Sequence, residues 1–149
     1  MANHKSFNSL ANRLKEIGEN VPKRATKEIR RAALAGDVAV VVATPVDTGH
    51  ARSRWIIRIG MEPPVDADFK SIEAIPGAAA TEIAIDEAKE VLNFWEVGKG
   101  DIFISNPLPY AEKLNEGFSQ QAPLGMTDDG IAAIIDAIKQ SKLLVTSRG

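Results

Sequence analysis

The sequence predicts an α+β domain with long N-terminal helices, a small, mostly antiparallel sheet and a C-terminal helix. Three observations carry that expectation. Apolar residues recur at helical spacing through the first 43 positions and again near the C-terminus. Two short β-rich runs, 54–59 and 101–105, are bounded by glycine or proline. With 149 residues, 44% of them hydrophobic and 26% charged, the chain fits one domain, residues 1–149, with enough apolar surface for a core.

The first helix is expected over 6–17, where Phe7, Leu10, Ala11, Leu14 and Ile17 share one side and Asn8, Asn12, Arg13, Lys15 and Glu16 fill the other. Gly18 and Asn20 are expected to end it. Pro22 then fits the first turn of a second helix, where its missing N–H costs nothing. That helix runs to about residue 43, opens basic and closes on Val38-Ala-Val-Val-Val-Ala43, a stretch expected to be deeply buried. Pro45 disfavours helical geometry at Thr44 and stops it. After a turn, Arg54-Trp55-Ile56-Ile57-Arg58-Ile59 makes a strand ended by Gly60.

A long loop with Pro63, Pro64 and Pro76 spans 61–77. For 79–95 a helix is expected, with Ile83, Ala84, Ala88, Val91, Leu92 and Trp95 on one side; a strand over 81–85 competes with it. Gly98 and Gly100 turn the chain into a strand at 101–105, which Asn106-Pro107-Leu108-Pro109 breaks. One or two helical turns follow at 110–115, ended by Gly117. Thr127 is placed to cap a last helix over 128–142, with Asp128 and Asp129 favourable in its first turn. Trp55 and Trp95 read as core residues.

The stretch 44–55, Thr-Pro-Val-Asp-Thr-Gly-His-Ala-Arg-Ser-Arg-Trp, contains the Asp-Thr-Gly of aspartic proteases. Its surroundings argue for a structural turn instead. Such an enzyme needs two carboxyls sharing one proton, and Arg52 and Arg54 nearby would hold Asp47 ionised. A turn formed by Pro45, Asp47, Thr48, Gly49 and Arg52 accounts for the stretch: Pro45 stops the helix, Asp47 accepts backbone N–H groups one to three residues on, Gly49 takes a positive φ, and Arg52 pairs with Asp47. An aspartic-type hydrolase remains the remote alternative.

Other chemistry is sparse. The chain has no Cys and only two His, His4 and His50, with no metal-ligand spacing, no Gly-x-Ser-x-Gly elbow, no phosphate loop and no dinucleotide fingerprint. The expectation is a protein that is not an enzyme and takes no cofactor or metal. No run of residues approaches the roughly 20 apolar positions of a membrane span, so no membrane partner is expected. Net charge is −2, unevenly placed. Residues 1–35 hold eight Lys/Arg against three Glu, and residues 61–101 hold ten Asp/Glu against three Lys. Basic and acidic faces of this kind suit neighbouring copies that meet in register.

Two stretches together resemble a known group. The first is 44–55, which follows the pattern Thr-Pro-Val-Asp-Thr-Gly-x-x-Arg/Lys-x-x-Trp. The second is 104–126, Ile-Ser-Asn-Pro-Leu-Pro-Tyr-Ala-Glu-Lys-Leu-Asn-Glu-Gly-Phe-Ser-Gln-Gln-Ala-Pro-Leu-Gly-Met. The pair resembles the tail-completion and neck proteins of tailed bacteriophages, of the HK97 gene 10 type and the lambda minor tail protein Z type. The likeness covers about residues 25–140. Asn115 stands where the usual pattern has an apolar residue and Glu before the glycine step, which makes Glu116 the counterpart. Nothing in the likeness covers residues 1–20 or the 61–77 loop.

The resemblance implies a structural virion protein of the head-to-tail junction, made in the host cytoplasm and resident in the viral tail or neck. It implies a homo-oligomeric ring, sixfold in type, at the upper end of the tail tube, with other neck, connector and tail-tube proteins as partners and DNA passing through the channel. A tail terminator capping the tube is the alternative. Asn106, Pro109, Tyr110, Glu116, Gln121 and Pro123 are the candidate subunit-interface residues, because the proline-stiffened turn presents a half-polar aromatic followed by an uncharged polar loop.

Overall fold

A computed structural model describes residues 3–46, 49–67, 73–116 and 125–141. Its elements run α1 (Asn3–Ala43), α2 (His50–Ser53), β1 (Ile56–Ile59), α3 (Gly77–Phe94), β2 (Ile102–Ser105), α4 (Ala111–Asn115) and α5 (Met126–Ser141). The α+β class holds: a long N-terminal helix, a two-stranded antiparallel sheet and a C-terminal helix.

The two expected N-terminal helices are one. Helix α1 continues through Gly18 and Pro22. Proline fixes φ near the helical value and forfeits one hydrogen bond, to the carbonyl four residues back. That carbonyl belongs to Gly18, and residues 18–22 are all exposed, so water can satisfy it. A break would also have to be rewarded by packing in a new direction, and the whole stretch 7–24 is exposed.

Helix α1 forms the spine against which α3, α5 and the sheet pack. From α3, Ala80, Ala84, Ala88 and Leu92 make a buried stripe at i, i+4 spacing. The small residues let α1 approach closely. Ala33, Ile57, Ala88 and Leu92 make one core cluster; Val40, Val41, Trp55 and Ala84 make a second, and Ile104 touches both. Helix α5 crosses α1 at two glycines. A Cβ on Gly130 would lie 2.5 Å from a Val40 methyl, and one on Gly36 would lie 2.5 Å from Ile134 Cγ1. Only glycine at both positions allows this spacing.

The strands pair with Ile56 opposite Ser105, Ile57 opposite Ile104, Arg58 opposite Phe103 and Ile59 opposite Ile102. Strand β1 is shorter than expected, because residues 50–53 form a helical turn and Trp55 precedes the strand as a buried anchor. Helix α3 replaces the competing strand, but Ile83 faces solvent at 42% exposure. The i, i+4 alanines are the packing positions, and residue 83 falls off their line. Likewise Val42 is 58% exposed although Val40 and Val41 are buried, since a helix surrounded on one side leaves every third or fourth residue outside.

Helix α5 starts at Met126, ahead of the expected residue 128. The Asn115 side chain, rather than Thr127, supplies its cap: Oδ1 accepts the Thr127 backbone N–H at 3.0 Å and the Thr127 hydroxyl at 3.2 Å. The expected helix end at 142 and the turn at Gly117 lie outside the described residues. Both tryptophans are buried, as expected, at 5% and 6% exposure.

Candidate functional site

The C-terminus of α1 ends in carbonyls with no partner of their own in the helix. Arg52 fills that need. Its Nη2 donates to the Thr44 carbonyl at 2.8 Å and the Val42 carbonyl at 3.2 Å, and its Nε donates to Thr44 at 3.2 Å. A guanidinium here also faces the negative end of the helix dipole. Nη1 reaches the Thr81 hydroxyl at 3.4 Å, which ties the same corner to α3.

Thr44 is buried, and its hydroxyl donates to the Val40 carbonyl while accepting the Trp55 indole N–H at 2.7 Å. One hydroxyl thus joins the helix end to the residue that launches β1. Gly49 adopts φ 79°, and a Cβ there would sit 2.0 Å from the Ile75 carbonyl oxygen. Gly77 is pressed against Val46 in the same way, at 2.8 Å. The 44–55 stretch is therefore a packed corner where α1, α2, β1 and the start of α3 meet. Pro45 is buried in it. Asp47 and Thr48 lie outside the described residues, so the expected Asp47–Arg52 pair does too.

The second motif reaches the first. Asn106 Nδ2 donates to the Ala51 carbonyl at 2.7 Å, and its Oδ1 accepts the Leu108 N–H at 3.2 Å. The Pro107 carbonyl accepts the Asp66 N–H at 2.7 Å, and the Asp66 carboxylate pairs with Arg54 at 3.0 Å. Segments more than fifty residues apart are thereby locked into one unit. Asn106 serves this internal joint, a role the sequence did not reveal. Pro109 and Glu116 are exposed, and Tyr110 is half-buried at the start of α4. Gln121 and Pro123 lie outside the described residues.

Two other features stand apart from this corner. Asp37 on α1 is fully buried, and neither carboxylate oxygen has a hydrogen-bond partner. Burial pushes its carboxyl from 3.8 up to about 7, since a charge without a partner is costly away from water. A groove of about 420 Å³ runs between β1 and α3, lined by Ile56 to Ile59 with Glu87, Glu90 and Val91. His50 is buried at the start of α2. Among the described residues no three His, Cys, Asp or Glu side chains gather as metal ligands, and no helix is long and apolar enough to cross a membrane.

The corner's polar groups are engaged in structure: Arg52 with helix carbonyls, Thr44 with Trp55, Asn106 with Ala51. What the arrangement does is hold a long helix, a strand and a proline-stiffened turn at fixed angles. No protein-family model, curated protein or solved structure matches the chain.

Proposed function

We propose that this chain is a structural subunit of a tailed-bacteriophage head-to-tail junction, a tail-completion or neck protein that closes into a ring at the upper end of the tail tube. The observation that carries the reading is the joint between the two motifs. Asn106 of the second motif bonds Ala51 of the first, so the stretches that resemble the phage group meet in one unit of the fold. An interface built on that unit is rigid before assembly, which lowers the ordering cost of association.

Two further observations support it. Pro109, Tyr110 and Glu116 follow the joint on a partly exposed turn and short helix. The outer side of α3 carries the exposed acids Glu82, Asp86, Glu87 and Glu90, while the exposed part of α1 carries Arg13, Lys15, Lys23 and Arg24. A head-to-tail ring needs two different faces on each subunit, and these surfaces differ in sign.

The test is the mass of the purified chain by sedimentation across a salt series. A closed oligomer that shifts toward monomer as salt rises from about 0.05 to 0.5 M is expected, because screening weakens contacts between charged faces. A monomer at every salt and protein concentration would remove the reading.

A further inference from the structure

The exposed stretch of α1, residues 7–24, has a spacing that the body of the molecule does not use. Phe7, Leu10, Leu14, Ile17 and Val21 follow one another at intervals of three, four, three and four residues. That is the a/d pattern of a coiled-coil seam. All five are exposed, at 70%, 52%, 60%, 48% and 54%. The run ends where the body begins: Arg24 and Glu28 occupy the next seam positions, and Ala25 and Thr26 are half-buried where residues 7–24 are all exposed. An arm of about 27 Å therefore presents an uncovered apolar line.

We propose that this arm pairs in parallel, seam to seam, with the arm of a second copy of the same chain. The width of the line selects a helix as its occupant. A 3.5-residue repeat gives a narrow seam that another helix of the same repeat fills, whereas an apolar face for a core or a membrane surface is wider. The flanking positions fit a second copy. Ala11 and Gly18 stand on one flank, and nothing lies within 4 Å of where a Gly18 Cβ would be. Arg13 on the other flank would face Gly18 of a parallel neighbour, so no like charges meet.

Direction follows from the layer count. Parallel pairing sets each of the five residues against its own copy. Antiparallel pairing matches a positions with d positions, and three of the first against two of the second leaves one unmatched. The inference stands on the arm alone and does not need the phage reading.

Because the chain contains no cysteine, single thiols report the pairing directly. Leu10→Cys and Ile17→Cys lie on the seam, and Asn12→Cys lies on the opposite side as a control. Under oxidised glutathione each seam variant is expected to link to itself at least about tenfold faster than the control. Adding Leu10→Asp and Leu14→Asp to Ile17→Cys should abolish that advantage while leaving the far-ultraviolet circular dichroism unchanged, since both leucines are exposed. Equal rates for seam and control would overturn the proposal. So would linkage of Leu10→Cys to Leu14→Cys, a d position to an a position, in a mixture with neither linking to itself, which would make the arms antiparallel. Flotation of the chain with phosphatidylglycerol vesicles, lost in the double Asp variant and without seam linkage, would give the face to a lipid surface and overturn it as well. Ring formation with no seam linkage would sink this inference and leave the ring reading standing.

Discussion

At the residue scale, Gly49 and Arg52, just past the end of α1, fix the path of the chain into α2 and β1. Gly49 is held at φ 79° with the Ile75 carbonyl where a Cβ would be. Gly49→Ala is expected to cost roughly 2–4 kcal/mol from left-handed strain and overpacking together, read by urea denaturation. Arg52→Ala leaves the Thr44 carbonyl buried without its charged donor and should cost about 1.5–3 kcal/mol; Arg52→Lys should recover only part, because the single nitrogen of an ammonium cannot replace the Nε and Nη1 contacts to Thr44 and Thr81 as well as those of Nη2. Asp37 makes a pH prediction. Its folded pKa, about 7, lies above the unfolded value near 3.8. The folded state therefore binds the extra proton, and stability falls as pH rises from about 4 to 7, then levels off. The loss is on the order of 4 kcal/mol at most, and Asp37→Asn should flatten the profile over that window. The sequence marked Pro45, Gly49 and Arg52 for a turn; Gly49 takes a positive φ and Arg52 lies in α2, while Arg52's grip on the helix end was not legible, because it depends on which carbonyls the fold leaves unpaired.

At the scale of elements, periodicity located every helix longer than five residues among the described residues, and it erred where a local signal met an absent or unseen partner. Pro22 read as a start, yet in an exposed helix it costs one hydrogen bond that water can replace, and α1 runs through it. Asn115 caps α5 from another element, and no pattern within 125–141 could show that. The crossing of α1 and α5 was equally hidden, since Gly36 and Gly130 look like ordinary helix-weakening residues until they face each other. Gly130→Ala should destabilise by about 1–3 kcal/mol in thermal or urea melts, despite the better helix propensity of alanine, because buried Val40 cannot move aside. Gly36→Ala should cost less, as the contacting atoms belong to the longer Ile134 side chain.

At the scale of the whole molecule, the described residues form a rigid corner with an exposed helical arm. The corner joins two sequence motifs through Asn106 and Ala51, and its polar groups are committed to holding backbone in place. The charge imbalance between 1–35 and 61–101 could be counted in the sequence, and the exposed residues of α1 and α3 carry part of it on separate surfaces. Assembly through such surfaces calls for no reacting group. The most direct measurement is electron microscopy of tails built without this chain, before and after the purified protein is added. Density of ring shape at one end of each tube, seen only after addition, is the predicted result. Bare tube ends at saturating protein, together with a monomeric chain in solution, would contradict it.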